Sequence, residues 1–125
     1  MKKIVVLLLV MVTIILFGCQ PTQQGSKCVT LEVVYEAEGI NESIEACTDE
    51  EYLLGVLDEN AEELGLEKTE SSFGVYVSGL KDFNFEALGM SYYWSIFVND
   101  EYGMLGVLDQ PVANGDIFKF EATSF

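Results

Sequence analysis

Residues 28–47 read CVTLEVVYEAEGINESIEAC, and the fold follows from how this stretch pairs with itself. Val29, Leu31, Val33 and Tyr35 recur at every second position, and Ile40, Ile44 and Ala46 share one face of the second half. Period-two alternation is the pattern of a half-buried strand, because successive side chains point to opposite faces. Glu38-Gly39 lies between the halves as a turn signal. In an antiparallel hairpin Val29 then faces Ala46, Leu31 faces Ile44 and Tyr35 faces Ile40, and only Val33 opposite Glu42 breaks the apolar match. The same register sets Cys28 directly opposite Cys47. One pairing accounts for both the hydrophobic pattern and the two cysteines. A cross-strand bridge is feasible on geometry and suits an oxidising compartment. The alternative is two free buried thiols, since the fold does not require the bridge.

Working outward, a helix follows the hairpin. Thr48 is a good N-cap, and Glu51, three residues on, completes a capping box. Asp49, Glu50 and Glu51 place negative charge at the positive end of the helix dipole. Leu53, Leu57, Ala61 and Leu64 form an apolar stripe widened by Leu54 and Val56, while Asp58, Glu59, Glu62 and Glu63 belong to the wet side. Gly65 is the expected residue just past the end. Residues 73–80 (FGVYVSGL) alternate again, with Phe73, Val75 and Val77 on one face. Residues 81–91 read as an irregular connection. Tyr92 to Val98 (YYWSIFV) is the most aromatic stretch, closed by the turn signal Asn99-Asp100. Met104 to Leu108 suits a short strand, and Asn114-Gly115 suits a turn needing positive φ. Ile117 to Ala122 (IFKFEA) is a last strand whose buried face is Ile117 or Phe118 and Phe120, depending on phase. The order is strand, strand, helix, then three or four strands. That is an α+β layer, one helix packed on a mostly antiparallel sheet of four to five or more strands.

The N-terminal residues carry a different message. Lys2 and Lys3 precede an apolar run from Ile4 to Phe17, interrupted only by Thr13. The run is too short for a comfortable membrane span of roughly 20 residues and has the flanks of a secretory signal. Leu16-Phe17-Gly18-Cys19 resembles the bacterial lipobox, with Phe17 bulkier than the usual residue there. The expected organisation is a lipoprotein signal peptide over 1–18, a polar flexible tether over 19–27 and one globular domain over 28–125. Cys19 is the expected lipidation site, and a diacylglycerol there holds a protein stably, as one acyl chain does not. The expected location is the bacterial cell membrane, facing outside the cytoplasm.

Composition excludes whole classes of function. The chain has 6 basic and 21 acidic residues. Lys2 and Lys3 belong to the signal, so residues 19–125 carry a formal charge of −17. Nucleic acid is opposed, because phosphate binding needs clustered Lys and Arg. An anionic lipid surface repels such a domain. The chain has no histidine, which removes Ser-His-Asp and Cys-His catalysis and every histidine-containing zinc site. Carboxylate pairs arise by chance among so many acids. No enzyme, cofactor or metal site is expected. Asn99-Asp100-Glu101 with Asp109 or Asp116 offers oxygens, but the spacing fits no known calcium loop.

The second half carries a family resemblance. Tyr93-Trp94-Ser95-Ile96-Phe97-Val98-Asn99, then Gly103 and Gly106, then Asn114-Gly115-Asp116-Ile117, resembles the transcobalamin C-terminal-like domain, known in bacterial lipoproteins as a domain of unknown function. The opening hairpin and Leu53-Leu54-Gly55-Val56-Leu57 agree with it, and the resemblance covers roughly residues 28–123. Asp100 stands where the family has glycine. The resemblance implies a β-grasp-like fold and a ligand-binding lineage. In the vitamin B12 carriers this domain closes on cobalamin together with a large helical lobe. No such lobe is read in residues 19–125, so the resemblance does not establish cobalamin.

The candidate ligand or partner face is therefore Tyr92, Tyr93, Trp94, Asn99, Tyr102 and Asp116. Alternation sends Trp94, Ile96 and Val98 one way and Tyr93, Ser95 and Phe97 the other, so one set meets solvent if one face of the sheet is wet. Trp94 is either a core residue or a ligand contact. Tyr92, Tyr93, Tyr102 and Tyr76 are either ordinary half-buried strand residues or a stacking platform for a flat ligand or sugar. Asp116 is either a turn residue or part of the face. The expected function is a non-enzymatic, lipid-anchored module that captures a small neutral or cationic, vitamin-like ligand for uptake. The alternative is a structural or interaction module for a transporter or surface protein.

Overall fold

The computed structural model describes residues 25–125. The expected signal segment, Cys19 and most of the expected tether lie outside the described residues. Strands β1 (Lys27–Tyr35) and β2 (Ile40–Thr48) form the expected antiparallel hairpin. Its register sets Val29 against Ala46, Leu31 against Ile44, Tyr35 against Ile40 and Cys28 against Cys47. A disulfide joins Cys28 to Cys47. A short 3-10 turn over Glu36–Glu38 ends at Gly39, whose φ of 68° is a left-handed conformation that glycine adopts at little cost. The one mismatch in the hairpin is resolved by charge: Glu42, opposite Val33, pairs with Lys81 at 2.6 Å.

The helical segment breaks at Asn60 into α1 (Leu53–Glu59) and α2 (Ala61–Leu64), and it buries Leu53, Val56, Leu57 and Leu64. Thr48 does not cap it. Thr48 is the last residue of β2, and its hydroxyl accepts from the Glu50 N–H and donates to the Glu59 carboxylate. The first helical amides are satisfied by a distant loop instead. The Leu53 N–H donates to the Gln110 carbonyl and the Leu54 N–H to the Val107 carbonyl, both at 2.9 Å. Tertiary structure supplies the partners that the capping box was expected to give.

Six further strands follow: β3 (Glu67–Ser71), β4 (Gly74–Leu80), β5 (Phe83–Asn84), β6 (Tyr92–Val98), β7 (Glu101–Tyr102) and β8 (Ile117–Ser124). They do not form the single sheet expected. A five-stranded sheet runs β2-β1-β8-β6-β7, and a three-stranded sheet runs β3-β4-β5. The central pair β1 and β8 is parallel, and every other pairing is antiparallel. Two readings are corrected here. Phe73 sits in the β3–β4 turn, 100% exposed, rather than on a face with Val75 and Val77. Residues 104–108 form no strand, and the partner of β6 on that side is the two-residue β7. The phase of β8 resolves in favour of Phe118 and Phe120, which are fully buried, while Ile117 is exposed.

The core lies on one face of the five-stranded sheet. Val29, Leu31, Val33 and Tyr35 of β1, Phe118 and Phe120 of β8, and Trp94 of β6 meet the helix there, with Val77 and Leu80 of β4 and Phe85 closing the side. The architecture is α+β. No helix among the described residues is long and apolar enough to cross a membrane.

Candidate functional site

The two sheets meet along a cleft of about 440 Å³. One wall is β4, through Val75, Tyr76, Val77 and Ser78. The other is β6, through Tyr92, Tyr93, Trp94 and Ile96. Phe85, Glu86 and Met90 close one end, and Gly106, Val107 and Phe125 complete the lining. Apart from Glu86, the lining side chains carry no charge.

The floor is an aromatic cluster. Tyr35 meets the Phe83 ring edge-on at 5.1 Å and the Phe85 ring at 5.4 Å, and Phe85 lies 5.1 Å from Trp94 and 5.5 Å from Tyr92. Such pairs add to what area burial alone contributes. Trp94 is only 6% exposed, and its indole N–H donates to the Phe83 carbonyl at 3.0 Å. Trp94 is thus both core and cleft: its ring packs inward while the cleft reaches it from the side. Burial in this cluster raises the Tyr35 phenol above its ordinary value, with the nearby Tyr92 and Glu38 adding to the shift.

The cleft meets the strands at their edges rather than their faces. Consecutive residues of one strand point to opposite faces, yet Tyr92, Tyr93 and Trp94 all line it, as do Val75 to Ser78. On β6, the Phe125 N–H donates to the Ser91 carbonyl at 3.1 Å and the Asn99 N–H to the Ile117 carbonyl at 2.8 Å. Bonded and non-bonded pairs alternate in an antiparallel ladder. The odd positions of β6 therefore bond to β8, and the N–H and C=O groups of Tyr92, Trp94 and Ile96 point the other way. Of these the Ile96 carbonyl is taken by the Gly103 N–H at 2.7 Å. β7 pairs with β6 only at Phe97 and Val98. On β4, β5 pairs only at Gly79 and Leu80, so the edge from Val75 to Ser78 is also open.

The six residues of the candidate face do not stay together. Tyr92, Tyr93 and Trp94 line the cleft. Tyr102, 57% exposed, lies outside it on the opposite face of the sheet, edge-on to Phe97 at 5.7 Å. A hydrogen bond with Tyr102, helped by burial, raises the Tyr93 phenol above its ordinary value. Asn99 and Asp116 tie two turns together. The Asn99 amide donates to Asp116 Oδ1 at 3.0 Å and its Oδ1 accepts from the Ile117 N–H at 2.9 Å, while Asp116 Oδ2 accepts from the Ala113 N–H at 2.9 Å. Asn99 and Asp100 both have positive φ, at 50° and 69°, as a two-residue turn of the primed type requires. Asp100 adopts a left-handed conformation that glycine takes at less cost. Sequence reading missed Val75, Phe85, Met90, Val107 and Phe125. The signal for one of these was present, since Phe85 alternates with Phe83 around Asn84 in a stretch read as irregular.

Among the described residues, one set of thiol and carboxylate groups lies close enough to share an ion, Cys28, Glu45 and Cys47. In this structure the two sulfurs are bonded to each other.

No protein-family model matches the chain, and no curated protein matches it. Solved structures do. A protein of Ruminococcus gnavus ATCC 29149, named for a supposed metal-binding role, matches with a TM-score of 0.70 and 21% identity over 80% of this chain and 99% of its own. Haptocorrin in complex with Cbi matches with a TM-score of 0.66 and 16% identity, over 85% of this chain and 27% of its own. The likeness is one of fold, and the chain spans about a quarter of haptocorrin.

Proposed function

We propose that this chain is a lipid-anchored, extracytoplasmic binding module without catalytic activity, and that the intersheet cleft takes a small, largely apolar, neutral or cationic ligand of the vitamin-like kind for uptake. The observation that carries the reading is the aromatic-floored cleft. Its volume of about 440 Å³ falls in the range of about 300–1,000 Å³ usual for ligand sites, and apolar walls with few polar groups are usual too. The formal charge of −17 on residues 19–125 opposes an anionic ligand. The fold likeness to haptocorrin, solved with Cbi, supports a ligand of that type. The mixed sheet with its parallel centre supports a β-grasp-like reading. Attachment rests on the sequence around Cys19.

The test is a thermal-shift screen of the full chain in mild detergent against cobalamins, other vitamins and divalent metal ions. A ligand present at about 100 times its Kd adds roughly 2.7 kcal/mol by mass action. A vitamin-like hit supports the proposal, and silence across the panel opposes it. Recovery of the mature protein without acyl groups on Cys19 would contradict the anchor.

A second reading, a structural or interaction module, is favoured by a specific feature. Tyr102, Met104, Leu105 and Leu108 are all exposed within seven residues. A thermal-shift blank with a saturable protein partner at this loop would replace the first reading with this one.

A further inference from the structure

We infer that the cleft is also the dock for an extended, uncharged or basic segment of a partner protein, which adds as a strand along β6 and excludes the small ligand while it is bound. The inference rests on reading the cleft as the binding site, and it names a partner for that site.

The sheets treat their edges differently. An open edge strand invites pairing, and proteins usually blunt one with charges, prolines or bulges. The free edge of β2 carries Glu42 and Glu45, and the free edge of β3 carries Glu67, Lys68 and Glu70. The stretches Tyr92–Ile96 and Val75–Ser78 contain no charge and no proline. These two unguarded edges flank one cleft. Among the described residues, the backbone N–H and C=O of Tyr92 and Trp94 point into that side with no strand to receive them. Apolar contact alone leaves such groups unused, whereas an extended backbone satisfies them in register. The open stretches, Val75–Ser78 and Tyr92–Ser95, are four residues long each, which at about 3.3 Å per residue matches one short strand.

A second copy of this chain is opposed as occupant on two grounds. Each copy would bring the same excess of acid, and like fields repel. A β6 edge still bonded to β8 is also a whole sheet wide, while the cleft is bounded on both sides. Glu86 at the cleft and the overall negative field favour lysine or arginine in the partner segment over aspartate or glutamate. Because segment and ligand share the walls at Tyr92 and Trp94, binding of one displaces the other. A transporter or surface protein would thereby unload the module.

The experiment pans a phage-displayed library of random heptapeptides against the full chain in mild detergent. Enriched peptides are then synthesised with and without N-methyl groups on alternate backbone nitrogens, which leaves every side chain in place. The expected peptides alternate apolar residues and carry basic rather than acidic ones. Their binding slows amide exchange at Tyr92 and Trp94, read by NMR, by at least about tenfold, and N-methylation in one of the two registers weakens binding by about tenfold or more. No enriched peptide, unchanged exchange at both amides, or indifference to N-methylation in both registers overturns the inference. A dimer by sedimentation with those amides already protected also overturns it, in favour of a second copy. If a small molecule still perturbs Trp94 while every peptide fails, the strand proposal falls and the cleft stands. If neither perturbs it, both fall.

Discussion

The hairpin end of the five-stranded sheet and the edge of β6 are made of the same kind of element but serve opposite ends. At the hairpin end, β1 is paired on both sides, a disulfide crosses to β2, and the outer edge is acidic. At the other end, β6 runs past its short partner β7 and leaves Tyr92 to Trp94 open beside an apolar cleft. The first region repels association and holds the fold. The second spends that security on an unguarded edge. A small domain can keep an open, aromatic edge soluble because the rest of its surface is strongly negative.

The sharpest break between the regions is stability. Phe120 of β8 is 0% exposed between β1 and β6, so Phe120→Ala should cost about 3–5 kcal/mol in denaturant unfolding. Phe125 of the cleft mouth is 88% exposed, so Phe125→Ala should stay within about 0.5 kcal/mol while weakening any cleft ligand. Equal losses would mean that the cleft mouth is part of the core.

Next in size is the hairpin's own bridge. The cysteines are separated by 19 positions, and replacing both with serine should cost about 3 kcal/mol in the chain-entropy model. Cleft binding should persist in that variant once it is folded. Loss of binding at full folding would couple two regions that are separate in this account. Smaller again is the latch between the turns. Asn99→Ala removes the acceptor of the Ile117 N–H and the donor to Asp116 in an exposed turn, and should cost about 0.5–1.5 kcal/mol. If the same variant loses ligand with no loss of stability, Asn99 belongs to the site after all.

The smallest effect is alkaline. The Tyr93 and Tyr35 phenols are raised in the fold, so their contribution is complete below the unfolded value of about 10 and fades as pH rises through the folded value. The melting temperature should fall between pH 9 and pH 11. Tyr102→Phe should soften that fall, because it removes the partner that raises Tyr93. An identical fall in the variant would remove Tyr102 as the cause.

The hairpin was legible because its partners are near in sequence and its apolar residues and cysteines demand one register. Thr48 misled because a capping box was present in sequence while the helix took its partners from the loop at 107–110. β3 was invisible: EKTES has no apolar alternation, and it is a strand only through its pairing with β4. The three tyrosine and tryptophan positions at 92–94 were found from aromatic density together with strand alternation and the resemblance carried by that stretch. Of the opposite wall only Tyr76 was singled out, since Val75 to Ser78 reach the cleft from a second sheet whose placement no local pattern encodes.

Trp94 is the chain's single tryptophan, so tryptophan emission comes from one ring, where the cleft meets the core. The most direct measurement is Trp94 emission during titration of the full chain with each compound that raises its melting temperature. The account predicts a saturable change in intensity or wavelength at the same concentrations, lost in the presence of a tight cleft-binding peptide. A compound that stabilises the protein and leaves Trp94 emission untouched would place binding elsewhere and contradict the cleft as the site.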